Sequence, residues 1–231
     1  MKIDYLGHSG FLVETDSCLL LFDDACGDLK PIDAKPKDKP LFVFVSHAHA
    51  DHFDPAIFSI AGRTVRYLLS FDLRGNKRIP EDRDVRFLDA HETYAIEGLG
   101  TVRTLRSTDE GVAFLVQTPG ETLFHAGDLN RWDWPGEDPD WLKDQETRFT
   151  QEIGTLADVP ITAAFTVLDD RLAAHYAKGP EALLSVCRIR YVLPMHFWKD
   201  RSVVERFKER SAVRASDAVI LDTAHETHWE L

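Results

Sequence analysis

Residues 47–52 of this chain read His-Ala-His-Ala-Asp-His, which places three imidazoles and a carboxylate on one short segment. This is a dense set of ligands for a borderline divalent cation such as zinc. The preceding segment, Leu41-Phe-Val-Phe-Val45, is apolar, β-branched and aromatic, which predicts a buried strand. Asp54-Pro55 follows and predicts a helix start, because Asp caps helices and Pro suits their first position. The segment therefore predicts a metal site on a turn leaving the carboxyl end of a strand.

The composition is typical of a soluble globular protein and limits the class of partner. Of the 231 residues, 44% are hydrophobic, which is enough for a sizeable core. The net charge of −12 argues against nucleic-acid binding and favours a small-molecule substrate. No apolar run approaches the length of a membrane span, and no leader precedes the first strand, so we expect no membrane association. Cys18, Cys26 and Cys187 lie far apart and are odd in number, which predicts free thiols and a cytoplasmic location.

The predicted elements alternate between short strands and helices along the whole chain, with a Lys-, Asp- and Pro-rich exposed loop at 28–40. Two sheets packed face to face, with helices on their outer faces, would bury such elements in one domain spanning 1–231. The predicted strands are 2–6, 10–15, 18–23, 41–45, 65–70, 85–88, 92–96, 99–106, 112–118, 121–126, 162–168, 190–195, 217–222 and 226–230. The predicted helices are 54–61, 138–154, a helix after Gly179-Pro180, and 202–210.

Two further strand ends carry candidate metal ligands. In Phe124-His-Ala-Gly-Asp-Leu-Asn130 an apolar strand ends in Gly127 and then Asp128, and a carboxylate there can bridge two cations. In Tyr191-Val-Leu-Pro-Met-His-Phe-Trp198 another buried-type strand ends in His196. A lone imidazole is commonly structural, but this position on a chain with the 47–52 motif favours a ligand.

Together the three segments resemble the metallo-β-lactamase superfamily, and the resemblance extends from the first strands to His196. It implies an α/β fold, a four-layer αββα sandwich with the metal site at one edge of the two sheets. It also implies one or two divalent ions, most often Zn²⁺, with Mn²⁺ or Fe as alternatives. Carried over to this sequence, His47 and His49 would hold the first ion. Asp51, His52 and His196 would hold the second, and Asp128 would bridge both.

One departure from the family pattern concerns the first ion. The family usually places another His before a middle strand, where this chain reads Arg106-Ser-Thr-Asp-Glu-Gly-Val-Ala-Phe114. Asp109, Thr108 or Ser107 can replace it, and a carboxylate is the best of these ligands. The alternative is that all three are turn residues and the first site is weak or empty.

Several residues near the motifs are candidates for the substrate or for orienting ligands. His8, in Gly7-His-Ser-Gly10, resembles a segment of lactonase-like members and would face the site, unless it is a surface turn residue. Asp23 follows a strand and can orient a ligating imidazole. Arg171 can bind an anionic substrate group or pair with its Asp neighbours. The rings of Trp132, Trp134, Trp141, Phe197 and Trp198 can line a pocket or belong to the core, and we expect His125 to lie in the core or behind the ligands.

The leading functional hypothesis is metal-dependent hydrolysis of an ester, lactone or phosphoester of a small molecule. In this hypothesis Asp51 binds the metal, orients the nucleophilic water and accepts its proton. A hypothesis of another class is a non-catalytic or sensing metal-binding protein with a degraded first site. An iron-dependent redox enzyme is disfavoured, because the chain has neither room for a flavin domain nor a Gly-rich dinucleotide motif.

Overall fold

The 47–52 motif follows a central strand of the first of two seven-stranded sheets. The computed structural model describes residues 1–231. The strands of this sheet are β1 (Lys2–Gly7), β2 (Gly10–Glu14), β3 (Leu19–Phe22), β4 (Leu41–Val45), β5 (Val65–Ser70), β6 (Val85–Leu88) and β14 (His228–Glu230). Their spatial order is β14-β1-β2-β3-β4-β5-β6. The sheet is mixed: pairing is antiparallel from β14 to β3 and parallel from β3 to β6.

The second sheet contains the other two predicted ligand segments. Its strands are β7 (Thr93–Ile96), β8 (Gly100–Arg106), β9 (Val112–Thr118), β10 (Glu121–His125), β11 (Ile161–Val167), β12 (Ile189–Met195) and β13 (Val219–Ile220). They lie in the order β13-β12-β11-β10-β9-β8-β7. Pairing is parallel from β10 to β13 and antiparallel from β7 to β10. Each sheet therefore has parallel strands whose carboxyl ends can share one edge.

Helices cover the outer faces of the sheets. They are α1 (Lys30–Asp33), α2 (Pro139–Gly154), α3 (Lys178–Val186), α4 (Ser202–Lys208) and α5 (Ser211–Arg214), with 3₁₀ turns at Pro55–Ser59, Phe71–Leu73 and Asp170–His175. Helix α2 begins where the sequence predicts, since the Asp138 carboxylate accepts the backbone N–H groups of Asp140 and Trp141. The four-layer αββα sandwich is confirmed. None of the helices has the length and apolar character needed to cross a bilayer.

Alternation along the strands divides the core into two parts. In β4, Phe42 and Phe44 point into the cluster between the sheets, whereas Leu41, Val43 and Val45 pack beneath the outer layer. Aromatic rings then connect the two sheets: the ring centroids of Phe44 and Phe114 lie 5.2 Å apart. A strand buried on both faces has no polar alternation, which is why its sequence reads as a continuous apolar run.

Most predicted strand ends lie within one residue of the observed ones, and larger differences occur in the loop, in the helices and in the last two strands. Segment 28–40 is not wholly a loop, because Pro31 supports the short helix α1 and Ile32 is buried under the first sheet. The predicted 54–61 helix is a 3₁₀ turn. The predicted 202–210 helix ends at Lys208. The last two predicted strands shrink to β13 and β14, because the Asp222 carboxylate accepts backbone N–H groups and turns the chain between them.

A close contact between the sheets depends on Gly111, in the turn before β9. The Val112 N–H donates to the Ser46 carbonyl, which directly follows β4, at 3.0 Å. Gly111 has φ +67°, and a Cβ there would lie 1.9 Å from the Ser46 carbonyl oxygen. Only glycine can therefore occupy this position without moving the start of the 47–52 motif.

We predict that Gly111→Ala lowers the free energy of unfolding by more than about 3 kcal/mol, because left-handed strain and a backbone clash add together. The matched control is Gly75→Ala, at φ +77° with no atom within 4 Å of the added Cβ. It should lower the free energy of unfolding by only about 1–2 kcal/mol, because only the left-handed backbone conformation is unfavourable there. Urea denaturation of the three proteins measures the difference, and equal losses would contradict the close contact.

Candidate metal centre

Five parallel-strand ends meet at one edge of the sandwich and carry the candidate ligands. Asp23 follows β3, the 47–52 motif follows β4, Asp128 follows β10, Asp169 follows β11 and His196 follows β12. The His8 turn between β1 and β2 joins them, because the His196 N–H donates to the His8 carbonyl at 3.1 Å. The fold thus brings together side chains that are far apart in sequence.

The candidate ligands form two groups. In the first, one side-chain atom each of His47, His49 and Asp128 lies within 4.8 Å of the others. His47 Nε2 is 3.1 Å from His49 Nδ1 and 3.6 Å from Asp128 Oδ2. In this geometry a pair of imidazole nitrogens and a carboxylate oxygen face a common space, which is the donor set of a divalent cation site.

The second group consists of His8, Asp51, His52 and His196, whose donor atoms also lie within 4.8 Å of one another. His8 Nε2 is 3.2 Å and His196 Nε2 is 4.0 Å from Asp51 Oδ2. His8 therefore lies among the candidate ligands, nearer to them than the sequence alone indicates.

Asp128 lies between the two groups. Its Oδ2 faces His47, whereas its Oδ1 is 3.2 Å from His52 Nε2 and 3.4 Å from His196 Nε2. Gly127 makes this approach possible, since a Cβ there would lie 2.6 Å from the Ser46 Cβ. The carboxylate thus lies between the two groups, which is the position that the predicted bridging role requires.

Buried hydrogen bonds decide which imidazole nitrogens are free. Asp23 Oδ2 accepts the Nδ1–H of His52 at 2.8 Å and the Ser46 hydroxyl at 2.6 Å. Because the Ser46 hydrogen is used in this way, its oxygen accepts the Nδ1–H of His47 at 3.0 Å. Asp169 Oδ2 accepts the Nδ1–H of His196 at 3.1 Å. In all three imidazoles Nδ1 is therefore engaged in a hydrogen bond, and Nε2 faces Asp128.

These donor atoms fit a cation and lack any other partner. His52 Nε2, Asp128 Oδ1 and His8 Nε2 are buried without a hydrogen bond. Two lone pairs held 3.2 Å apart repel each other unless a positive charge lies between them. The residues present therefore fit divalent ions of the kind the resemblance implies, at both groups.

In the metal-free protein, the pKa shifts of these residues also show that positive charge is favoured beside Asp128. Burial opposes ionisation of His52, yet the Asp128 and Asp23 carboxylates raise its pKa well above the ordinary value. Burial likewise opposes the charged form of Asp128, but His52 and His196 lower its pKa. Burial and the nearby His52 lower the pKa of His47 to about 4, so His47 is neutral near pH 7, as a ligand must be.

Backbone strain is concentrated here. Only five non-glycine residues have positive φ, and His8, Asp23 and His196 are three of them. Each such residue costs about 1–2 kcal/mol, which the surrounding structure must supply. The fold therefore holds these side chains in position at the expense of local stability.

The region that departs from the family pattern contains two carboxylates close to the first group. Thr108 and Ser107 are buried, and their hydroxyls bond to the Asn130 carbonyl and the Asp109 N–H. Asp109 lines the cleft above Asp128, where burial and the Asp128 charge raise its pKa. Glu110 Oε2 lies 3.5 Å from His49 Nε2. Asp109 stays a prediction for the first site, and Glu110 is a second candidate that sequence reasoning did not identify.

The structure also locates the other residues that the sequence analysis singled out. Trp132, Trp134, Trp141, Trp198 and Arg171 line a cleft over the metal centre, together with His49, Asp51, Asp128 and His196. Phe197 is buried in the core. His125 is also buried, stacked on Phe22, with its Nε2–H donating to the Ser9 carbonyl at 2.9 Å. Cys26 is exposed, whereas Cys18 and Cys187 are buried.

Sequence reasoning missed Ser46 and the orienting role of Asp169. Asp169 follows the parallel strand β11, next to the strands that end at Asp128 and His196. Its position at the end of a strand was therefore the feature from which the sequence could have identified it. Ser46 directly precedes the motif, but nothing in the sequence shows that its hydroxyl connects His47 to Asp23.

We predict that Asp23→Asn lowers the affinity for Zn²⁺ by about 10- to 100-fold, because the amide cannot hold both imidazole tautomers in place. Calorimetric titration of the chelated protein with Zn²⁺ measures this affinity. The neighbouring Asp24→Asn is the control, since Asp24 is equally buried but its carboxylate accepts the Cys26 N–H instead. Equal losses in the two variants would contradict the orienting role of Asp23.

Comparison with known proteins agrees with this geometry. A family model described as a β-lactamase superfamily domain matches residues 2–133. A metal-dependent hydrolase of Pyrobaculum calidifontis is 30% identical over 222 residues, covering 85% of this chain and 84% of its own. A metal-dependent hydrolase of Pyrobaculum arsenaticum is 29% identical over 216 residues, with coverages of 85% and 84%.

Solved structures show the same fold. Igni18, a metallo hydrolase from Ignicoccus hospitalis, superposes with a TM-score of 0.68 at 17% identity, covering 100% of this chain and 98% of its own. A metal-dependent hydrolase from Parabacteroides distasonis gives 0.65 at 15% identity, with coverages of 95% and 90%. The family model spans more than half of the sequence, and the chain belongs to the metallo-β-lactamase superfamily.

Proposed function

We propose that this protein is a metal-dependent hydrolase that acts on an ester, lactone or phosphoester of a small molecule. The observation that carries the proposal is the position of Asp128, whose carboxylate lies between two groups of imidazole and carboxylate donor atoms. The names of the Pyrobaculum relatives support the same reaction class. The cleft above Asp128 has a volume of about 270 Å³, which suits a small molecule rather than a polymer.

The ligands divide between the two groups. His47, His49 and Asp128 would hold one ion, and Asp51, His52, His196 and Asp128 the other. Imidazole-rich sites with carboxylates suit zinc, and Mn²⁺ or iron fit the same donors less selectively. A divalent cation bound here supplies a water of lowered pKa and polarises the scissile group.

Asp51 is the carboxylate best placed to act on the nucleophilic water. It lines the cleft, and its Oδ2 lies 3.2 Å from His8 Nε2. The nearby His8 lowers the pKa of Asp51, so the carboxylate is ionised near pH 7 and would be able to hold a cation and orient its water. We assign Asp51 the catalytic role and His8 the task of orienting it, while Asp23 and Asp169 orient the imidazoles behind.

A second function is supported by the exposure of His49, one of the three residues of the first group. His49 and Glu110 have side chains 46% and 55% exposed, whereas His47 and His52 are fully buried. A loosely enclosed first site favours a protein that binds one ion firmly and senses a ligand without hydrolysis. Elemental analysis distinguishes the two functions, because two bound ions favour hydrolysis, whereas one fully ligated ion without an open coordination position favours the non-catalytic role.

We predict that chelation abolishes hydrolysis and that Zn²⁺ or Mn²⁺ restores it. The purified protein would be dialysed against EDTA and tested on a panel of lactones, aryl esters and bis(4-nitrophenyl) phosphate. Activity appearing only with added metal is expected, since the nucleophile depends on the cation. Turnover of any of these substrates by the thoroughly chelated protein would refute the proposal.

We predict that Asp128→Ala lowers the content of both ions, because each group loses its shared carboxylate. Hydrolysis should fall by at least about 100-fold. His8→Ala should keep both ions and lose less activity, since it removes only the partner of Asp51. A comparable loss of metal in the two variants would mean that His8 is itself a ligand.

We predict that Asp109→Ala lowers the metal content from two ions toward one while the fold is retained. Glu110→Ala is the comparison, since both carboxylates adjoin the first group. Elemental analysis and circular dichroism measure the outcome. Unchanged metal content in Asp109→Ala together with a loss in Glu110→Ala would assign the position to Glu110.

A further inference from the structure

Aromatic rings form the wall of the cleft, and two of them face water. Trp132 and Trp134 are stacked, with ring centroids 5.7 Å apart. Trp198 is 47% exposed and Trp141 is 36% exposed, and Val219 is the only other large hydrophobic residue exposed to this degree. Exposed indoles that all line one cleft are characteristic of a ligand-binding surface rather than of ordinary surface variation.

Arg171 lies among these rings with part of its guanidinium free. Its Cζ is 4.7 Å from the ring centroid of Trp198 and 5.4 Å from that of Trp134. Nε donates to both oxygens of Asp169, at 2.9 and 3.1 Å, and Nη2 donates to one of them. Nη1 has no protein partner, so its two N–H groups are available to a ligand in the cleft.

Asp169 holds Arg171 rigidly and connects it to the metal centre. The Asp169 carboxylate is fully buried and accepts the Arg171 backbone N–H as well as the side chain. The same carboxylate accepts the Nδ1–H of His196. An arginine fixed through one edge and stacked between rings loses little side-chain entropy when its other edge binds an anion.

We propose that the cleft selects substrates that carry an oxyanion, a carboxylate or a phosphate, on a flat apolar body. Arg171 would bind the oxyanion through Nη1, and Trp134 and Trp198 would pack against the apolar body. This inference rests on the proposed hydrolase function and adds the substrate class to it.

The charge of the cleft makes this selection depend on metal. Three carboxylates, those of Asp51, Asp109 and Asp128, line it against the single guanidinium of Arg171. The metal-free cleft is therefore net acidic and repels an anion, whereas two divalent ions reverse the sign. Anion binding should accordingly be weak in the chelated protein.

Calorimetric titration of the metal-loaded protein with two probes of nearly equal shape tests the proposal. Phenylacetate carries the charge, 2-phenylacetamide does not, and benzylphosphonate shows whether a phosphate-like group is preferred to a carboxylate. In the unmodified protein phenylacetate should bind about 10-fold more tightly than the amide or better. In Arg171→Met this preference should fall by at least about 5-fold, with metal content verified as unchanged.

The matched control is Arg86→Met, because Arg86 is also stacked on an aromatic ring, 4.7 Å from the centroid of Tyr94, but lies away from the cleft. It should retain the full preference. Trp198→Leu should weaken phenylacetate and the amide by similar factors, of about 3- to 10-fold, since it removes apolar contact.

Two results would overturn the inference. One is an undiminished preference for phenylacetate in Arg171→Met, which would place the anion on the metal ions alone. The other is equal affinity for both probes in the unmodified protein. Neither result bears on the chelation experiment, so the hydrolase proposal and the substrate class can fail separately.

Discussion

The structure depends on one electrostatic constraint, the convergence of lone pairs at the buried carboxylate of Asp128. Three imidazoles point Nε2 at this group, and each is fixed there by an acceptor on its other nitrogen. In the metal-free protein a proton supplies part of the positive charge, since the Asp128 and Asp23 carboxylates raise the pKa of His52 well above its ordinary value. A divalent ion bound there would displace that proton and be held by the same side chains.

The two mixed sheets create this constraint. A parallel strand delivers its carboxyl end to the same edge as its neighbours, so strand-end residues from both sheets meet without long loops. The Gly111 turn then joins the sheets at the start of the motif, and Gly127 lets the Asp128 segment approach Ser46 closely. Positive φ at His8, Asp23 and His196 is energetically unfavourable, but it directs these side chains toward the centre.

The sequence was sufficient to identify the candidate ligands and most of the architecture, but not the hydrogen-bond network behind them. The 47–52 motif, Asp128 and His196 could be identified because each follows an apolar run, which is a local signal. Ser46, Asp169 and Glu110 could not be assigned, because their roles depend on contacts between segments separated by many residues. The same reason explains the strand ends: β13 ends early and β14 begins late, because between them the Asp222 carboxylate accepts backbone N–H groups, which apolar patterning does not report.

Burial across the centre separates a supporting side from a reactive side. His47, His52 and Asp23 are inaccessible to water, and the carboxylate that orients His196 is buried as well. His49 and Asp51 instead open onto the cleft with Arg171 and the indole rings. A ligand entering the cleft meets Asp51 and His49 before any of the supporting residues. The buried side would orient the metal ligands, whereas Arg171 and the indole rings face an entering molecule, so substitutions of Asp23 and of Arg171 should change metal affinity and ligand preference separately.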